Sequence, residues 1–153
     1  MTFNLIEENE IEETCEMIKR ACTHSSFSEF YPQKYIESGT NCDIIRERAR
    51  RMRFYVLKDG KKIVGCGGIG PYWDSTDEAW IFTVAVAPEY QGKGLGRKII
   101  EGLENDDLAK RSRRIEIHAA MSAIPFYKKL GYRHKNGDLT YQSGHFDLEK
   151  FLR

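Results

Sequence analysis

Val84-Ala85-Val86-Ala87-Pro88-Glu89-Tyr90-Gln91-Gly92-Lys93-Gly94-Leu95-Gly96-Arg97-Lys98 is the stretch whose reading decides the fold. An apolar run, a proline, three alternating glycines and an amphipathic run follow in that order. They read as a buried strand, a tight turn and a helix start. Glycine admits positive φ and close approach of the backbone to a ligand. A helix N-terminus carries unpaired N–H groups and the positive end of the macrodipole. The combination is an anion site, most often for phosphate, and Lys93, Arg97 and Lys98 add positive charge beside it.

The glycine spacing selects among phosphate loops. G-x-x-x-x-G-K-[ST] is not met, because Gly92 leads to Gly96-Arg97-Lys98-Ile99. G-x-G-x-x-G is not met either, since the glycines fall at 92, 94 and 96. The pattern that is met is Gln-x-x-Gly-x-Gly, as Gln91, Gly94 and Gly96. Behind a Val-Ala-Val strand it resembles the acetyl-CoA loop of the GNAT superfamily of N-acetyltransferases. A second segment, Ala123-Ile124-Pro125-Phe126-Tyr127-Lys128-Lys129-Leu130-Gly131-Tyr132, is similar to the short helix after strand five in that family, A-x-x-F-Y-x-x-x-G-[FY]. Ser143 to Lys150 resembles the last strand of many bacterial members. The resemblance covers most of residues 50 to 150.

The composition fits one α/β domain over 1–153. The chain has 41% hydrophobic and 31% charged residues, with 24 basic against 23 acidic side chains for a net charge of +1. That balance gives no drive toward nucleic acid or a membrane. The arginines of 46–53 and the basic residues of 110–114 read as solvated helix surface and loop. Cys15, Cys22, Cys42 and Cys66 show no C-x-x-C spacing, so they read as reduced thiols of a cytoplasmic protein, with Cys15 and Cys22 on a helical stripe. No metal is expected.

Along the chain, Thr2–Ile6 reads as a strand. Asn9 with Glu12 reads as a capping box for a helix through Ile11, Cys15, Ile18 and Cys22. A loop over 23–31, a short helical piece over 33–37 and a helix over 43–52 follow. Phe54–Leu57 and Lys62–Ile69 form a hairpin around Asp59-Gly60, and glycines 65, 67, 68 and 70 signal a bulge or close approach in its second strand. Glu78–Val86 is a strand and Leu95 opens a helix ending near 109–110. Arg114–His118 is a strand, and Ser122 is placed to cap a helix over 123–130. Tyr132–Lys135, Leu139–Gln142 and Phe146–Phe151 close the sheet. The resemblance adds that this mixed sheet of six or seven strands, flanked by about four helices, splays between strands four and five.

The resemblance also implies the site. Gln91, Gly92, Lys93, Gly94, Leu95, Gly96 and Arg97 would hold the pyrophosphate of acetyl-CoA as cosubstrate. The edge at Val84 and Val86 would pair with the pantetheine arm and polarise the thioester carbonyl. Tyr127 would protonate the departing thiolate, a role open to a phenol with an ordinary pKa near about 10. The family's glutamate on strand four falls here on Trp80, which is no base. Glu78, two residues earlier and on the same face of a regular strand, is the substitute, with His118 behind it. Phe27, Phe30, Tyr31, Tyr72 and Trp73 offer aromatic walls for the acceptor. The resulting expectation is an N-acetyltransferase acting on a primary amine of a small molecule or peptide, as monomer or homodimer. The other reading is a CoA-binding sensor without turnover.

Overall fold

The computed structural model describes residues 1–23, 41–140 and 145–152. The expectations on 24–40, including Phe27, Phe30, Tyr31 and the helical piece over 33–37, lie outside the described residues. So does the part of the strand expected over 139–142 that falls at 141–142; Leu139 and Thr140 are not in a strand.

Seven strands form one sheet in the order β1-β2-β3-β4-β5-β7-β6. They are β1 (Thr2–Leu5), β2 (Arg53–Asp59), β3 (Lys62–Pro71), β4 (Glu78–Val86), β5 (Arg114–Ala119), β6 (Arg133–His134) and β7 (Phe146–Phe151). All described pairs are antiparallel except β4 with β5. Five helices accompany them among the described residues: α1 (Ile11–Thr23), α2 (Cys42–Arg51), α3 (Leu95–Glu104), α4 (Asp107–Lys110) and α5 (Ile124–Lys129). The periodic apolar stripes bury against the sheet as their 3.6-residue spacing dictates. Ile11, Cys15 and Ile18 of α1 and Ile45 of α2 cover one face. Leu95, Ile99, Ile100 and Leu103 of α3 cover the other.

The glycines of β3 record the closeness of α3. A Cβ at Gly65 would stand 2.7 Å from Ile99 Cδ1, and one at Gly67 would stand 2.9 Å from both Ile99 and Leu103. Beside Gly67 the β3–β4 register slips, Cys66 facing Ala85 while Gly68 faces Phe82. The extra residue lies in β4, where Thr83 takes φ +52, a costly conformation for a β-branched side chain. The bulge reverses the strand's alternation. Ala79 and Ile81 face α3 before it, as Val84 and Val86 do after it, while Trp80, Phe82 and Ala85 face the opposite core.

The structure corrects several local expectations. The capping box is made by Glu7 and Glu10, not Asn9 and Glu12; a 3-10 turn over Glu8–Glu10 moves the helix start by two residues. The long helix after Leu95 stops at Glu104, and Asp106 caps α4 by accepting the Leu108 N–H at 2.8 Å. Ser122 does not cap α5; Ala123 stands at the cap position. Cys15 and Cys42 are joined in a disulfide with Cα atoms 5.5 Å apart, so these two thiols are not reduced as expected. Packing of α1 and α2 on one face brings them together, a proximity that a separation of 27 residues hides. Cys22 and Cys66 remain free thiols. Among the described residues no helix is long and apolar enough to cross a membrane.

Candidate active site

The glycine loop ends at the N-terminus of α3. Gly92 and Gly94 take φ +76 and +80, and nothing lies within 4 Å of where a Cβ on either would stand. Gly94 is the cap residue and offers no side chain to the helix. The first helical bond reaches back from Lys98 N–H to Gly94 O at 3.2 Å, so the N–H groups at the helix start face outward. These features fit a pyrophosphate: open space, backbone donors and a helix dipole directed at one point. Arg97 is held by Glu101 at 2.8 Å, and Lys93 lies 5.2 Å from the Tyr90 ring centroid.

β4 and β5 pair only from Glu78↔Arg114 to Ile81↔Ile117. Beyond Ile81 the strands part, as the splayed sheet requires. Ala87 N–H crosses to Val64 O at 2.8 Å on the β3 side. Alternation along the strand therefore turns the N–H groups of Val84 and Val86 toward the parting. Val86 O already accepts the Gln91 side-chain amide at 3.0 Å, which ties loop to strand and leaves the Val86 N–H as the donor.

α5 presses on the start of α3: a Cβ at Gly96 would stand 3.0 Å from Phe126 Cζ. Tyr127, next to Phe126, shares its apolar cluster with Leu95. Tyr127 is buried among Phe126 and Tyr132, with ring centroids at 5.0 and 5.9 Å. Burial pushes its phenol well above the ordinary range, so the proton stays on the oxygen until a strong base draws on it. Pro125 lies in the first turn of α5, and Gly131 ends the segment at φ +95.

The face of the sheet beside the parting carries charge. Antiparallel pairing sets Glu116 opposite Glu149 and His118 opposite Asp147. Arg114 reconciles the carboxylates, its guanidinium donating to Glu78 at 2.5 Å, Glu116 at 2.9 Å and Glu149 at 3.1 Å. Lys135 adds a bond to Glu116 at 2.8 Å. Burial alone would raise the Glu116 pKa, but bonds with His118, Lys135 and Arg114 hold it down to about 2. His118 Nε2 lies 2.7 Å from Glu116 Oε2. Its ring lies 5.9 Å from that of Trp80, whose indole N–H is buried without a hydrogen-bond partner.

Glu78 does share this face, yet its carboxylate is occupied by Arg114 and, at 3.4 Å, by Arg113. Tyr72 packs under Arg114 and accepts from Lys135 at 3.1 Å, whereas Trp73 is 85% exposed, its ring edge-on to Tyr72 at 6.4 Å. The basic runs are not all solvated surface. Arg48 lies 5.4 Å from the Trp80 and Phe82 rings and donates to Thr83 Oγ1 at 2.7 Å, and Arg114 is buried in the carboxylate cluster. Arg114, Glu116, Asp147 and Lys135 escaped the sequence reading. The available signal was Arg114-x-Glu116-x-His118 against His145-x-Asp147-x-Glu149, two strands polar on the same alternate positions.

Residues 12–132 match the Acetyltransferase (GNAT) family. The chain belongs to that family. Among curated GNAT relatives, it is 43% identical over 60 residues to the [ribosomal protein bS18]-alanine N-acetyltransferase of Escherichia coli, a match spanning 37% of this chain and 40% of that enzyme. It is 35% identical over 72 residues to GCN5-related N-acetyltransferase 2, chloroplastic, of Arabidopsis thaliana, spanning 47% of this chain and 27% of that protein. Among solved GNAT structures, the PaiA N-acetyltransferase of Thermoplasma acidophilum in complex with coenzyme A superposes with TM-score 0.81 at 16% identity, covering 99% of both chains. The Escherichia coli ribosomal-protein-S18-alanine N-acetyltransferase gives 0.70 at 21% identity, covering 99% of this chain and 93% of that one. These structural likenesses are likenesses of fold.

Proposed function

We propose that this GNAT protein is an acetyl-CoA-dependent N-acetyltransferase whose acceptor is a primary amine of a small molecule or peptide. The observation that carries the reading is the joining of a glycine-rich helix start to a strand edge that opens immediately before it. Acetyl-CoA supplies the acyl group as a thioester. The N–H groups at the start of α3, from the loop Gln91 to Arg97, hold the pyrophosphate. The Val84–Val86 edge aligns the pantetheine amides, and the Val86 N–H polarises the reacting carbonyl. Tyr127 delivers a proton to the sulfur as it leaves.

For the base, the geometry favours His118 over Glu78. A base needs a free lone pair facing the acceptor. Glu78 is committed to two arginines, whereas His118 is a partly exposed imidazole oriented by a buried carboxylate. Tyr127 and the His118–Glu116 pair also favour an enzyme over a CoA sensor, which needs neither. The relative named as a ribosomal protein-alanine N-acetyltransferase puts peptide amines among the acceptors to try.

The test is CoA release from acetyl-CoA across a panel of small amines and peptides, including one beginning with alanine. Turnover with at least one acceptor is expected; acetyl-CoA binding with no turnover on any would leave the sensor reading. Gly94→Asp should weaken acetyl-CoA binding at least tenfold, about 1.4 kcal/mol, by calorimetry. Unchanged affinity would remove the loop from the binding site.

A further inference from the structure

We propose that His118, His145 and Asp147 form a binding site for Zn²⁺ or a similar dication, at the acceptor end of the parting between β4 and β5. Antiparallel pairing sets His118 of β5 opposite Asp147 of β7, and His145 precedes Asp147 by two residues on the same side. The two imidazoles are stacked, with centroids 4.4 Å apart and planes within 9°. Both direct Nε2 at one oxygen: Asp147 Oδ1 lies 3.2 Å from His145 Nε2 and 3.7 Å from His118 Nε2. One donor atom from each residue falls within 4.8 Å of the other two.

The distances decide between a loose polar group and a metal cradle. Zinc binds imidazole nitrogen and carboxylate oxygen at about 2.0–2.2 Å, so the edges of its tetrahedron are about 3.3 Å long. Two of the three edges here are already within about 0.4 Å of that length. Asp147 Oδ1 is buried and accepts no hydrogen bond among the described residues, although a ring nitrogen stands 3.2 Å away. That oxygen has approach without alignment, which suits a shared cation better than a shared proton. Glu116 Oε2, 2.7 Å from His118 Nε2, is within reach as a fourth donor, and Lys135 and Arg114 steady it through the other oxygen. Imidazole with carboxylate suits Zn²⁺ and its neighbours rather than Mg²⁺ or Ca²⁺. Neither strand carries a linear metal-binding spacing, so no metal is expected from the chain alone.

Resting on the reading of His118 as base, a dication on Nε2 would hold the ring's own proton on Nδ1, leave neither nitrogen with a lone pair for the acceptor's proton, and so would switch transfer off. The test separates the two claims. Zn²⁺ alone should bind the full-length protein at one equivalent by calorimetry, and Co²⁺ in its place should show the intense visible band of a four-coordinate site. His145→Ala and Asp147→Asn should each weaken Zn²⁺ at least about tenfold, with circular dichroism and melting temperature confirming that they fold. Affinity unchanged in both variants, or binding well below one equivalent, would overturn the site. In turnover assays Zn²⁺ should stop the wild-type protein and spare His145→Ala. One equivalent bound with turnover unaltered would keep the site and overturn His118 as the base.

Discussion

On the β1–β4 side of the parting the strands bury Phe54, Val56, Leu57, Ile63, Val64 and Ile69 between helices on both faces. On the β5–β7–β6 side one face buries Arg114, Glu116 and Glu149. The first side gains stability from close packing of apolar volume, and single ion pairs on its rim, such as Arg51 with Glu47, are exposed and worth little. The second depends on one guanidinium satisfying three carboxylates, where each partner removed leaves a charge stranded in poor solvent. The difference teaches that the apolar half sets the shape of the sheet, while the charged half holds polar groups at the opening and keeps them oriented.

Four experiments sharpen or break this contrast. The largest effect is expected at the opening itself. Tyr127→Phe and His118→Ala should each lower kcat about 10²–10⁴-fold with acetyl-CoA affinity retained by calorimetry. Full turnover in Tyr127→Phe, with chemistry rate-limiting, would return that residue to packing.

Arg114→Met probes the charged half. Glu78, Glu116 and Glu149 lose their shared partner, so unfolding should become easier by about 3–5 kcal/mol in denaturant titration. Acid should narrow that gap. Glu116 is held down to about 2 in the fold, below its unfolded value near about 4.3. The stability it contributes is therefore present above the unfolded value and fades as pH falls from about 4 toward 2. A variant as stable as the parent at neutral pH would mean that the charges are solvated.

In the apolar half the corresponding test is covalent. Closing a loop with a separation of 27 residues restricts the unfolded chain, and Cys42→Ser should cost about 3.5 kcal/mol on the loop-entropy relation. A loss well under about 1 kcal/mol would show that the α1–α2 contact carries itself. The smallest effect is expected for Glu78→Gln, which keeps the shape of an arginine-bound side chain. The pH profile of kcat/KM should be unmoved and kcat should change less than about tenfold. A profile displaced toward higher pH would restore Glu78 as the base.

The contrast also explains what the chain made readable. The loop over Gln91–Arg97, the hairpin at Asp59-Gly60 and the stripes of α1, α2 and α3 are local patterns, and local geometry enforces them. The bulge at Thr83 has its only sequence signal in the glycines of β3, whose close approach to Ile99 and Leu103 involves a helix distant in sequence. The carboxylate cluster depends on β5 meeting β7 across about 30 residues, so no window along the chain holds Arg114 and Glu149 together. Glu78 was placed on the correct face, yet its commitment to Arg113 and Arg114 lies beyond strand alternation. The disulfide was missed for the same reason.

The parting of β4 from β5 also leaves, among the described residues, an unpaired strand edge in the middle of a sheet. Exposed edges invite other chains to pair and aggregate, and proteins commonly cover or charge them. Here the exposed rung is short: it runs from beyond Ile81 to Val86, and the Gln91 side chain already caps the Val86 carbonyl. β5 and β7 stand on the far bank as a wall. A thin amide-bearing ligand could lie along the rung as a surrogate strand.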